Sequence, residues 1–194
     1  MTKNEIALAP NAALLVIDVQ QGFDDASYWG PRNNPAAEAN IAALMDAWQE
    51  SGRPVVLVRH ASRTAGSVLA EGHPGHAFKD FVADRAGQES LLVTKTVNSS
   101  FYGTPDLAAW LTAQGIGQLV VSGIQTNMCV ETTARMAGNL GYDVLVPLDA
   151  THTFDLEGPD GLRLTADELA TATAVNLQGG GFARVVTTAQ LLGS

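Results

Sequence analysis

Cysteine is almost absent from this chain: a single residue, Cys129, among 194. One thiol closes no internal disulfide and supplies no multi-thiolate metal cluster, so it is either buried filler or a reactive group. Basic residues are also sparse, 11 against 20 acidic ones for a net charge of −9, and they form no run. Without a basic stripe there is no electrostatic footprint for a phosphate backbone or an anionic bilayer, so neither nucleic acid nor membrane is an expected partner. No apolar stretch is long enough to span a bilayer. The opening "MTKNEIALAPNAALLVIDV" lacks the basic start, apolar stretch and small-residue cleavage site of a secretory leader. These absences make a cytoplasmic location the expectation.

What is present is the balance of a folded chain, 46% hydrophobic and 16% charged, in a length that fits one domain over 1–194. Six short runs are near-continuously apolar: "AALLVIDV" (12–19), "RPVVLVRH" (53–60), "SLLVTK" (90–95), "QLVVSGI" (118–124), "DVLVPLDA" (143–150) and "ARVVTT" (183–188). Strands buried on both faces have this texture, as in a parallel sheet covered by helices. Helical patterns lie between them. "NPAAEANIAALMDAWQESG" places Ile41, Leu44, Met45 and Trp48 on one stripe and ends at Gly52. "TPDLAAWLTAQG" offers Thr104 as a cap and Pro105 at the first helical position, and "TADELATATAVNLQGG" opens with Thr165 and Glu168 in capping-box spacing. The alternation reads as right-handed βαβ units, an α/β fold. Pro147 inside the fifth run cannot donate to a ladder, which predicts a bulge or an edge position.

Cys129 falls about five residues beyond the fourth run, in the first turn of a helical pattern. Unpaired N–H groups and the positive end of a helix dipole favour a thiolate there, which predicts a thiol pKa below the free value of ~8.5. A nucleophile needs a base. Asp18 ends the first run and Lys95 the third, so both charges emerge at the same sheet edge as the thiol, where neither is tolerated unpaired. Asp149, at the end of the fifth run, is a twin that spacing cannot separate from Asp18. His60, His73 and His76 gather near the irregular stretch at 61–89. "HPGH" lacks the one-turn helical spacing of a zinc pair, so these read as loop histidines and no metal is expected.

Taken together, "LLVIDVQQGF", "TKTVNSSFYGT" and "VSGIQTNMCVETTARMAGNLGYDVLVPLDAT" resemble the isochorismatase-like cysteine hydrolases, in order and over nearly the whole chain. Known members include nicotinamidases, carbamoyl-amide hydrolases, ureidoacrylate-type amidohydrolases and streptothricin hydrolase. The resemblance implies a three-layer, Rossmann-like single domain with a six-stranded parallel sheet. It also implies catalytic roles for Asp18, Lys95 and Cys129, a cis peptide between Ile124 and Gln125, and an oxyanion hole built from the N–H groups of Gln125 and Cys129. Phe23 and Phe101 stand where pocket aromatics are expected, and Trp29 and His60, on strand-end loops, complete the substrate-binding set.

The implied activity is hydrolysis of a C–N bond in a small amide, carbamoyl or lactam substrate through a thioester, without a cofactor. Nicotinamidases carry a metal-binding Asp-x-His after the second strand, whereas here Val58 stands two before His60, so neither zinc nor nicotinamide is expected. Vinyl-ether hydrolysis of the isochorismatase type, or a binding protein on the same fold, are the alternatives. Relatives commonly assemble, which implies a homo-oligomer, dimer or tetramer.

Overall fold

The computed structural model describes residues 6–88 and 90–193. The six apolar runs form β1 (Ala13–Ile17), β2 (Val55–His60), β3 (Leu91–Lys95), β4 (Gln118–Ile124), β5 (Asp143–Pro147) and β6 (Arg184–Val186). All pair in parallel, in the order β3-β2-β1-β4-β5-β6. A two-residue strand, Thr151–His152, extends the sheet alongside the end of β4. Every residue of β1 and β4 is buried, because each strand gives alternate side chains to two cores. Leu15, Val58 and Val121 enter one, with Leu107 and Leu111 of α2 (Leu107–Ala113), Ala134 and Ala137 of α3 (Glu131–Asn139) and Leu177 of α4 (Ala166–Gly179). Leu14, Val16 and Val120 enter the other, with Ile41, Leu44, Met45 and Trp48 of α1 (Ala37–Glu50) and Leu191 of α5 (Thr188–Leu192). The result is three layers, helices on both sides of the sheet.

Two local expectations need correction, and a third is resolved between its alternatives in favour of an edge-like position. Thr104 does not cap α2, because its N–H and C=O are already exchanged with Thr94 at 2.8 and 2.9 Å; the helix starts later, with the Asp106 carboxylate accepting from the Ala109 N–H at 3.0 Å. The sixth strand stops at Val186, because the Thr187 hydroxyl accepts from the Gln190 N–H and opens α5. Pro147 needs no bulge: the β4–β5 register ends at Val120↔Leu145, so Pro147 lies past the shared ladder, paired only with Val186 of β6. The capping box at Thr165 and Glu168 forms as expected.

The strand order has a consequence for function. After β1 the chain winds outward through β2 and β3, then crosses back to β4 and winds the other way. The loops leaving β1 and β4 therefore diverge and open a crevice at their C-terminal ends. Gly123 lets these two strands close: its φ is +119°, and a Cβ there would lie 2.1 Å from the Ile17 carbonyl oxygen. Among the described residues no helix is long and apolar enough to cross a membrane.

Candidate active site

The crevice holds the three polar residues singled out by sequence. Asp18 leaves β1 in a left-handed conformation, φ +53°, with its N–H donating to Val58 O at 2.9 Å and its carbonyl accepting from Gln20 N at 2.8 Å. Aspartate is among the few residues that adopt this region at a cost of only about 1–2 kcal/mol. Lys95 is the last residue of β3. Cys129 lies in a π-helical turn, Thr126–Val130, where the Val130 N–H donates to Gln125 O at 3.2 Å before α3 begins. Such wide turns often mark functional positions. The peptide joining Ile124 to Gln125 is cis.

Their side chains converge. Lys95 Nζ donates to Asp18 Oδ2 at 2.6 Å and to Cys129 Sγ at 3.4 Å, and lies 3.3 Å from His60 Nδ1. The Asp18 and Lys95 side chains are both wholly buried. The second carboxylate oxygen, Asp18 Oδ1, has no hydrogen-bond partner among the described residues, which leaves one lone-pair face of the base unspent. Above this cluster is a cavity of about 210 Å³ lined by Asp18, Cys129, Phe23, Trp29, His60, Leu69, Asn98, Gln125 and Met128.

Electrostatics correct one expectation. The Cys129 thiol is pushed up, not down: burial disfavours the thiolate, the Asp18 charge adds to this, and the Lys95 ammonium offsets only part of it. For Lys95, burial works against the charge, but the Asp18 carboxylate and Cys129 outweigh it and the ammonium is held above its usual range. Burial, then the nearby Lys95 charge, keeps His60 below the ordinary imidazole range.

Asp18, His60 and Cys129 each offer a ligand atom within 4.8 Å of the others. Lys95 Nζ is within 3.4 Å of atoms of all three, so an ammonium already sits at the centre a cation would take. His73 and His76 do not join this group: His73 Nδ1 accepts from the Gly75 N–H at 3.0 Å, and the His76 carbonyl accepts from Gln20 Nε2 at 2.9 Å.

Phe23, Trp29, His60 and Gln125 all reach the cavity, but Phe101 does not. Its ring stacks on Tyr142 at 5.9 Å in the core under α3, because the short helical turn that carries it packs inward against Thr133. Phe154, which does not line the cavity either, stacks 5.5 Å from Trp29 and 6.1 Å from Phe23 within the other core. Trp29 is fixed by a 2.8 Å bond from its indole N–H to Gly22 O. Asn98 and Met128 belong to the quoted motifs; Leu69 lies outside any pattern and reaches the site only through the fold. Gln20 is a further omission. Its side-chain amide donates to the His60 carbonyl at 3.0 Å and accepts from the His60 N–H at 2.8 Å, pinning the end of β2.

The structure also separates the twin aspartates. Asp149 Oδ1 accepts from the N–H and hydroxyl of Thr188, at 2.8 and 2.9 Å, and so caps α5.

Comparison with known proteins agrees with this geometry. The isochorismatase domain model matches residues 12–190. The isochorismatase family protein YrdC of Bacillus subtilis is 38% identical over 180 residues, 93% of this chain and 94% of that protein. Nicotinamidase 3 of Arabidopsis thaliana is 32% identical over 177 residues, 86% of this chain and 80% of its own length. A crystal structure of an isochorismatase-family protein from Chromobacterium violaceum superposes with a TM-score of 0.91 at 42% identity, covering 100% of this chain and 97% of that one. The apolar strand order, the crevice at β1 and β4 and these matches lead to one statement: the chain belongs to the isochorismatase family of hydrolases.

Proposed function

We propose that this hydrolase cleaves the C–N bond of a small amide-type substrate through a thioester on Cys129. The observation that carries the reading is the contact of one buried ammonium with both a carboxylate and the sole thiol, at the floor of a cavity. Because burial and the Asp18 charge favour the protonated thiol, attack and deprotonation are coupled. Asp18 takes the sulfur's proton as the S–C bond forms, and Lys95 stays charged and compensates the developing negative charge. The backbone N–H groups of Gln125 and Cys129 receive the oxyanion, a donor of this kind being worth roughly 3 kcal/mol. Collapse breaks the C–N bond, and the proton held on Asp18 leaves with the amine. Water then attacks the thioester with Asp18 again as base, returning the carboxylic acid and the free thiol.

The cavity volume limits the acyl portion to a small group, and the Phe23 and Trp29 rings on its wall favour a flat one. A panel of amides, ureido compounds and lactams, scored for amine release with wild type and Cys129→Ala in parallel, tests the reading. Amine release by the wild type that is lost in Cys129→Ala supports it. Release that survives in Cys129→Ala, or conversion of a vinyl ether by both proteins, overturns it.

A further inference from the structure

An ammonium has three hydrogens to donate, and Lys95 has three acceptors around it: Asp18 Oδ2 at 2.6 Å, His60 Nδ1 at 3.3 Å and Cys129 Sγ at 3.4 Å. Two belong to the proposed reaction. The third, His60, lines the cavity but its contact with Lys95 has no part in that reaction. An imidazole nitrogen facing an ammonium presents its lone pair only if its own proton is elsewhere, so Nδ1 is bare and Nε2 carries the hydrogen. The backbone of His60 is held on both sides by the Gln20 side chain, at 2.8 and 3.0 Å, so the ring is presented by a fixed peptide at the end of β2. His60 lines the cavity, so the ring edge away from Lys95 is the one offered to it.

From this arrangement we infer that His60 is a positioning residue for Lys95: its Nδ1 takes the third ammonium hydrogen, which holds Lys95 between base and nucleophile and fixes the ring as the Nε2–H tautomer facing the substrate cavity. Two consequences follow. Lys95 has no hydrogen left for the substrate and acts only on Asp18 and the sulfur. The donor offered to the substrate from this wall is the His60 Nε2–H, which matches a lone-pair acceptor on the amide. The burial and the Lys95 charge that hold His60 below the ordinary imidazole range keep the ring neutral, as an acceptor must be. This role deepens the amide-hydrolase reading, yet its geometry is testable without any substrate.

The first measurement is long-range proton–nitrogen correlation NMR on the full chain labelled with nitrogen-15 histidine. The His60 signal is assigned by its loss in His60→Asn. At pH 7 the expected pattern is a bare Nδ1 and a protonated Nε2; an Nδ1–H tautomer or a doubly protonated ring overturns the inference. The second is the alkylation rate of Cys129 with iodoacetamide. Loss of one charge-assisted hydrogen bond frees Lys95 from the sulfur, so His60→Leu is expected to react about tenfold more slowly. His60→Asn, whose side-chain oxygen can accept at the Nδ1 position, is expected to recover most of the rate. Equal rates for wild type and His60→Leu, or no recovery with asparagine, overturn the assignment. Thermal unfolding of the three proteins separates a packing defect, which the asparagine variant would share. If no amide turns over while the tautomer and rescue results hold, the amide reading fails and the Lys95 anchor stands.

Discussion

Two aspartates end strands at the same edge of this sheet, and they have opposite fates. Asp149, beside β5 and β6, borders a concavity of about 570 Å³, more than twice the volume of the one at Asp18. Its Oδ1 is spent on the Thr188 N–H and hydroxyl, and the neighbouring Asn33 and Asn34 amides donate to backbone carbonyls or to Asp167. Asp18 is wholly buried, touches a buried ammonium with one oxygen and, among the described residues, leaves the other unpartnered beside a thiol. Cavity size does not distinguish a site from a groove. The distinction lies in polar capacity held back from the fold's own hydrogen bonds, at the one place where the strand order reverses.

That contrast can be broken most directly by exchanging the two carboxylates for amides. Asp18→Asn is expected to lower amide turnover by about three orders of magnitude or more, through loss of the base. Unchanged amide turnover in Asp18→Asn would mean that Asp18 merely supports the fold.

His152 lies on the boundary between the two regions, paired with Ile124 of β4 and next to Thr151 of the groove. It is fully buried, and its pKa is lowered from 6.5 to about 3, first by burial and then by the Arg32 and Lys79 charges. The unfolded chain takes up this proton near pH 6.5 while the native ring resists it. The stability tied to neutral His152 is therefore complete above that pH and drains away as pH falls towards about 3. The slope is roughly 1.4 kcal/mol per unit from this residue alone. Denaturant titrations at stepped pH should show it, and His152→Leu should flatten it; an unchanged slope assigns acid sensitivity elsewhere.

A smaller effect concerns the resting thiol. Alkylation of the wild type should climb about tenfold per pH unit from neutral into the alkaline range, because only the scarce thiolate reacts. A plateau already reached at neutral pH would restore the helix-start thiolate. The smallest change is expected on the other side of the comparison. Asp149→Ala should cost about 1 kcal/mol through the lost cap of α5, seen as a lower unfolding midpoint, with turnover within about twofold of wild type.

Much of this was legible in advance because it depends on local patterns. The stripe Ile41, Leu44, Met45 and Trp48 is buried as its spacing predicts, and Thr165 with Glu168 closes its capping box. Asp18, Lys95 and Cys129 could be chosen because charge at the end of an apolar run is anomalous wherever it occurs. Phe101 does not meet its expectation because an aromatic looks the same in sequence whether its turn packs inward or faces a cavity. Thr104 was misread because its backbone is committed to Thr94, a partner on another strand.

By itself, then, the amino-acid order determined the alternation of strands and helices, the two-sided burial of the sheet and which residues are chemically anomalous. Each of these follows from periodicity and polarity along a few neighbours. Only the tertiary structure decided which aspartate meets the thiol, that burial holds the thiol's pKa up, and that Lys95 lies within 3.4 Å of Asp18, His60 and Cys129 together. Those outcomes depend on desolvation and on distances between atoms of β1, β2, β3 and the turn after β4, which no local stretch of chain contains.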